Sequence, residues 1–532
     1  WVRRTVGPKT VPTPRNSISG EAQAIAKANR SSMSSPMSVS RKMGVGVMEA
    51  EYRLFGRFMI ADPIADAPSG NCGIVRLTER GLRFGKRVRN RMTRRTRLKR
   101  WPQLLLVGVV LALAGAEGLR TDPAQGAAGL VGKPLKAGSI YTLGERAGWT
   151  FPPVAEGKPG QFRYELKEDN FVVVRSGSLD LSQKSEAIEF VGTKPGIMWL
   201  ELKDPNNKIH HFAAAIAPDQ IKPAAPRPPD FDAFWTRKLK ELRAIPMNAK
   251  VSPKENPEAG IEHGLVQLDH ISNTKVHGHY VKPEGDGKYP AVLMLQWASP
   301  PYPLDKSWIL GFAKSGWLAL NTQPHDVLAS EPASYYQSLP DRLKNYAAIE
   351  QENLEKNYFV EMYLRGVRAV DFLVNHPNWD GKTLLIVGTS MGGMQCFAVA
   401  GLHDKVTHMM INVPAGCDLN GPLHGHSNSY PFYPPTNAKA MEVARYIDAV
   451  NFAPRIKATS LIGNGFVDTA CAPTGIYAAF NQIAGKKEMV AMFDSPHNHL
   501  ATPEQQRPYV ERSNAWVAAL SKGEPAPVGK AN

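Results

Sequence analysis

Apolar and polar positions divide the chain into stretches of different rhythm. Between residues 139 and 214, apolar, β-branched and aromatic residues come in short runs, at 139–143, 161–166, 170–175, 187–191, 197–202 and 209–214. Several runs alternate with polar positions, and turn-forming sequence such as Gly157-Lys158-Pro159-Gly160 separates them. Side chains change face at every residue of a strand, so six or seven such runs in roughly 85 residues predict a small β-sandwich. Residues 223–229 (PAAPRPP) predict a stiff, extended linker. Phe231, Phe234, Trp235, Leu239 and Leu242 then recur at helical spacing. Strand-like runs at 264–268 and 275–281 flank the turn-former Asn273. Beyond residue 290 short apolar runs at 291–295, 317–321, 383–387, 408–412, 459–462 and 489–493 alternate with helical stretches, notably 358–375. That alternation predicts a mostly parallel, doubly wound α/β sheet, with any chemistry just beyond the C-terminal ends of its strands.

Earlier in the chain the texture is different. Ten Lys and Arg fall between Arg83 and Arg100, followed by the apolar run LLLVGVVLALA at 104–114 and the small residues Ala114-Gly115-Ala116. A basic segment, a short apolar segment and a small-residue end make a signal peptide starting at Met92. The run is too short to favour a permanent membrane span. The expected organisation is therefore a non-native or structureless extension (1–91), a signal peptide (92–116), a β-sandwich-like domain (117–222), the linker (223–229), an α/β catalytic domain (230–522) and a structureless tail (523–532). A secreted or periplasmic location follows, with no stable membrane span after cleavage. The net charge of +16 invites a nucleic-acid reading, but residues 1–100 hold 22 Lys/Arg against 6 Asp/Glu, and the rest of the chain is balanced. The body has no charge excess to attract a phosphate backbone. Cys396, Cys417 and Cys471 are too few and too scattered for a disulfide scaffold; buried thiols and a single bridge both remain open.

Candidate chemistry centres on one serine. The apolar run 383–387 leads into Gly388-Thr389-Ser390-Met391-Gly392-Gly393, a G-x-S-x-G motif in strand–turn–helix context. In this setting the serine occupies a sharp turn that tolerates no side chains at the flanking glycines. An α/β-hydrolase places its acid and its histidine later in the chain, in that order. Asp468 lies beyond run 459–462, with Asp494 as rival acid; His499 lies beyond run 489–493, with His497 as the alternative base. The backbone N–H groups of Trp297, after run 291–295, and of Met391 are the candidate oxyanion hole. Such a triad needs neither metal nor organic cofactor. The pairs His277/His279, His424/His426 and His497/His499 have strand-like spacing for a metal, but no carboxylate or thiolate set accompanies them convincingly.

Residues 228–517 resemble the acetyl xylan esterase / cephalosporin-C deacetylase family, carbohydrate esterase family 7. The similarity is carried by Pro229-Asp230-Phe231-Asp232-Ala233-Phe234-Trp235, by Arg365-Gly366-Val367-Arg368-Ala369-Val370-Asp371-Phe372-Leu373, by the serine motif, by Gly465-Phe466-Val467-Asp468-Thr469-Ala470-Cys471-Ala472-Pro473 and by Asn498-His499. The resemblance implies an α/β-hydrolase that removes acetyl or other small acyl groups from carbohydrate or related alcohol esters. It implies Ser390, Asp468 and His499 as the triad and Trp297 and Met391 as oxyanion donors. Family members commonly form hexamers, which implies a homo-oligomer. The chain departs from the family at three places. Thr322-Gln323-Pro324-His325-Asp326 stands for an Arg-Gly-Gln-Gly motif, Met391 for Gln, and Leu500 for Glu. These departures and the added β-rich domain leave ester specificity and oligomer open. The competing expectations are a prolyl-oligopeptidase-like hydrolase with the same triad and an inactive polysaccharide-binding scaffold.

Overall fold

The computed structural model describes residues 130–529, apart from 156, 159 and 253–257. The expected extension 1–91 and signal 92–116 lie outside the described residues. Strands β1 (Lys133–Pro134), β2 (Ile140–Tyr141), β3 (Arg146–Phe151), β4 (Gln161–Glu168), β5 (Val172–Asp180), β6 (Glu186–Val191), β7 (Gly196–Lys203) and β8 (Ile209–Ile216) come first. They form two sheets, β1-β3-β6 and β2-β8-β7-β4-β5. Trp149, Phe151 and Ile188 of one sheet meet Phe162, Leu166, Leu200 and Leu202 of the other in a shared core, as a β-sandwich requires. β3 escaped the sequence reading: Gly148, at φ 144° with the Ile188 backbone against it, breaks the apolar pattern between Ala147 and Trp149.

β7 and β8 are buried on both faces. Leu200, Leu202, Ala214 and Ile216 point into the sandwich. The alternate residues Ile197, Trp199, Ala213 and Ala215 pack into the core of the larger domain. Hence β8 ends in the unbroken apolar run Ala213-Ala214-Ala215-Ile216. Polar contacts reinforce this seam. The Asp169 carboxylate accepts the Ile197 N–H (2.7 Å) and the Thr474 hydroxyl (2.5 Å). His426 stands 3.3 Å from Asp418 and 3.8 Å from Asp169. The hydrogen bond to Asp418 raises the His426 pKa above its ordinary value against the opposing cost of burial, and Asp169 adds to the rise while Lys194 opposes it. A histidine whose pKa is raised on folding contributes stability that is complete below its unfolded value, about 6.5, and lost as pH climbs through the folded value. The Tm difference between wild type and His426→Ala should accordingly be largest near about pH 6 and shrink toward about pH 9. A pH-independent difference in scanning calorimetry would refute that coupling.

The linker is tied down: Ala224 N–H donates to Asp418 (2.8 Å) and Arg445 to the Pro226 carbonyl (2.8 Å). Helix α1 (Phe231–Arg243) buries Phe231, Phe234, Trp235, Leu239 and Leu242, the face read from the spacing. The large sheet holds β9 (Lys250–Val251), β10 (Ile261–Asp269), β11 (Lys275–Pro283), β12 (Tyr289–Leu295), β13 (Leu318–Thr322), β14 (Trp379–Thr389), β15 (His408–Asn412), β16 (Thr459–Gly465) and β17 (Lys487–Met492). Its order is β17-β16-β15-β14-β12-β13-β11-β10-β9. The run from β17 to β13 is parallel, and β11, β10 and β9 join antiparallel. Further helices are α2 (Ser307–Lys314), α3 (Tyr358–Val374), α4 (Met391–Leu402), α5 (Ala438–Ile447), α6 (Pro473–Gln482) and α7 (Pro503–Ser521). Leu384, Ile386, Met409 and Ile411 face one core with α3 and α4. The alternate residues Leu385, Val387 and Met410 face a second core with Trp308 of α2 and Trp516 of α7. Both faces of the sheet are thus covered.

The tail, expected to be structureless, is built in as far as residue 529. Ala526 and Val528 pack on the second core, and Gly529 N–H donates to Glu488 (2.7 Å). These contacts offset the cost of ordering a Pro- and Gly-bearing segment. Among the described residues no helix is long and apolar enough to cross a membrane.

Candidate active site

Ser390 closes β14 and opens α4. Its backbone sits at φ 57° and ψ −122°, a conformation that a residue with a Cβ seldom adopts. Surrounding hydrogen bonds hold it there: Ser390 N–H donates to the Asn412 carbonyl (3.0 Å), and Ala415 N–H to the Ser390 carbonyl (2.9 Å). Crowding explains the flanking glycines. A Cβ on Gly388 would lie 2.4 Å from the Gly392 carbonyl, and a Cβ on Gly392 would lie 2.3 Å from the Leu295 carbonyl. The motif therefore records where the ends of β12 and β14 and the start of α4 touch, which brings the Leu295–Gln296 backbone against Gly392, two residues from the serine.

The loops after β16 and β17 meet next to this turn, where Val467 N–H donates to the Ser495 carbonyl (3.2 Å). Asp468 is buried. One carboxylate oxygen accepts the N–H groups of Ala470 (2.7 Å) and Cys471 (2.8 Å), and the other lies 2.7 Å from His497 Nδ1. An ionised carboxylate only accepts, so the imidazole carries a proton on Nδ1 and Nε2 is its acceptor nitrogen.

His497, rather than the expected His499, is therefore the histidine joined to Asp468. The reason is local. The His497 carbonyl accepts from Leu500 N–H (2.8 Å) and Ala501 N–H (3.2 Å), so the chain turns helically from residue 497 onward. Residues two apart on such a turn point to different sides, unlike residues two apart on a strand. His499 instead sets its ring edge-on to that of His497, with centroids 5.3 Å apart. Burial first, and then the neighbouring His497, lower its pKa. Asp494, the rival acid, has an exposed side chain.

Cys471 completes the cluster, and the sequence reading gave it no place there. Ligand atoms of Asp468, Cys471 and His497 all lie within 4.8 Å of one another, and the Ser390 side chain is near enough to the Cys471 thiol to oppose the rise that burial gives its pKa. That proximity sets the serine near the Asp–His pair. Full burial pushes the thiol well above its ordinary pKa, so it stays protonated and is no competing nucleophile. Its position three residues after the acid was the available signal. Cys396 and Cys417 are likewise buried free thiols.

Among the described residues this same trio is the group placed to hold a metal ion. The other histidine pairs diverge. His277 faces Asp326 (3.7 Å), His279 bonds to His263 (3.0 Å), His424 is exposed, and His426 belongs to the interdomain seam. Trp297, just past β12, packs on Trp308 and Tyr302 with ring centroids 4.9 and 5.7 Å away. Met391 is buried at the start of α4, where the Tyr346 hydroxyl donates to its sulfur (3.0 Å).

A strand order in which the serine turn follows β14, an aspartate follows β16 and its histidine partner follows β17 defines a serine hydrolase of the α/β-hydrolase class. Residues 218–512 match the acetyl xylan esterase (AXE1) family model. The chain belongs to that family and is a carboxylic-ester hydrolase. It is 28% identical over 386 residues to the acetyl esterase Axe7A of Xylanibacter ruminicola, covering 70% of this chain and 87% of that protein. Among solved structures, the acetyl xylan esterase from Paenibacillus sp. R4 is 24% identical, with a TM-score of 0.49, covering 58% of this chain and 98% of that one. Acetyl xylan esterase 1 from Thermoanaerobacterium sp. JW/SL YS485 is 22% identical, with a TM-score of 0.45, covering 53% and 92%.

Proposed function

We propose that the protein removes acetyl groups from acetylated carbohydrates by acyl transfer to Ser390, with His497 as the general base. The observation that carries this reading is the 2.7 Å contact between His497 Nδ1 and the buried Asp468 beside the strained Ser390 turn. Family membership supports the choice of a small acyl group and a sugar alcohol.

His497 Nε2 takes the Ser390 proton as the hydroxyl oxygen attacks the ester carbonyl. The N–H groups of Trp297 and Met391 receive the negative charge that develops on the carbonyl oxygen; fixed donors there act without reorganising during the reaction. His497 then hands its proton to the departing sugar oxygen. Water attacks the acetyl-serine with His497 again as base, releasing acetate and restoring the hydroxyl. Asp468 keeps the imidazole in the required tautomer and stabilises its charged form. Every proton in the cycle is carried by one imidazole.

Acetate release from acetylated xylo-oligosaccharides tests this, run beside p-nitrophenyl acetate, p-nitrophenyl octanoate and a peptide p-nitroanilide. An aryl phosphonate should label Ser390, located by mass spectrometry of the digested protein. Preference for the peptide amide, or labelling at another residue, would overturn the reading. The basic and apolar segment 92–116 is proposed as an export signal, which fits action on extracellular polysaccharide; the intact mass of the mature protein is its check.

A further inference from the structure

The loop from Gln296 to Tyr302, which leads away from β12 and carries Trp297, is gripped by three of its own carbonyl groups. Gln395 Nε2 donates to the Gln296 carbonyl (2.8 Å), His325 Nε2 to that of Ser299 (3.3 Å) and Gln323 Nε2 to that of Tyr302 (2.5 Å). All three donors are buried, between 0% and 1% exposed. Because a carbonyl can only accept, these partners settle the orientation of both amides and the tautomer of His325. Its Nε2 carries the proton while Nδ1 accepts from the Tyr358 hydroxyl (2.9 Å). Burial lowers the His325 pKa to about 3, so the ring is neutral in this role. The Gln296 side chain adds a brace, accepting from the Tyr302 hydroxyl (2.9 Å) and donating to Asn321 of β13.

The carbonyl and N–H of a trans peptide point in opposite directions. Anchoring the Gln296 carbonyl therefore fixes the direction of the Trp297 N–H. The anchor stands one helical turn beyond Met391 on the same helix, so α4 sets both of the amides assigned to the oxyanion.

We propose that Gln395 is a positioning residue of the oxyanion hole, aiming the Trp297 amide by holding its peptide unit, while Gln323 and His325 fix the rest of the loop. This rests on the reading of Trp297 N–H as an oxyanion donor. It also gives a task to the segment Thr322-Gln323-Pro324-His325-Asp326, where the chain departs from its relatives' motif. A buried amide serving only as packing would affect how much protein folds; an aiming role affects how fast each folded molecule turns over.

The test uses the full chain with Gln395→Met, similar in volume but without a donor, and Gln395→Glu, similar in shape with an acceptor facing the carbonyl. End-point labelling with the aryl phosphonate counts folded sites, and kcat for p-nitrophenyl acetate is expressed per labelled site. Both variants should lose about 10- to 100-fold in kcat per site, with KM changed by less than about threefold, since the lost interaction belongs to the transition state. Per-site kcat within about twofold of wild type, or a fall carried entirely by loss of labelled sites, overturns the proposal. Ser390→Ala, assayed in parallel, separates the two levels: turnover retained there would bring down the assignment of the site itself.

Discussion

His497→Ala should abolish turnover of p-nitrophenyl acetate, lowering kcat/KM by about 10⁴-fold or more. His499→Ala should lower it by less than about tenfold. The contrast follows from how the two rings are placed: His497 is bonded to the buried Asp468, and His499 leans on His497 from the side. Both variants remove an imidazole from the same turn, so comparable thermal stability would show that the difference lies in chemistry. A profile with the two effects exchanged would return the base to His499 and require this loop to rearrange in solution.

Asp468→Asn is expected to cost about 10⁴-fold in kcat with the fold intact. The substitution keeps an oxygen for the N–H groups of Ala470 and Cys471, so the loop keeps its shape. It turns an amide N–H toward His497 Nδ1, which must then accept. The proton moves to Nε2, and a nitrogen bearing a proton cannot take another from Ser390. Asp468→Ala should be worse in a second way, because the half-buried Ala470 N–H and the buried Cys471 N–H lose their acceptor, the latter at roughly 1–3 kcal/mol. The measurement is kcat beside Tm for both variants: equal Tm values would contradict the second half, and activity within about tenfold of wild type in Asp468→Asn would contradict the first.

The serine turn was legible in the sequence because its requirement is local. Gly388 and Gly392 are dictated by backbone contacts within a few residues or with the neighbouring strand end, and apolar run 383–387 announces the strand that feeds them. The place of Asp468 was legible for a related reason, since strand order confines a candidate acid to a loop after a particular strand. The choice between His497 and His499 was not. It depends on the chain beginning a helical turn at residue 497, and Pro496-His497-Asn498-His499 carries no periodicity from which that could be read. Cys471 and the carbonyl-gripping side chains were hidden for a different reason. Gln323, His325 and Gln395 come from separate segments, and nothing in a one-dimensional pattern marks a buried donor aimed at a distant carbonyl. In the sandwich, alternation located most strands, yet it does not distinguish a strand facing water from one facing a second domain.

The doubly buried seam limits how the protein can change over generations. With β7 and β8 apolar on both sides, neither half has a finished exterior where they join. A lineage that shed residues 130–216 would leave Ile221 and the α6 surface uncovered, and one that kept the sandwich alone would display Trp199 to solvent. Loss or exchange of this module would therefore need new polar side chains on the esterase surface beneath it.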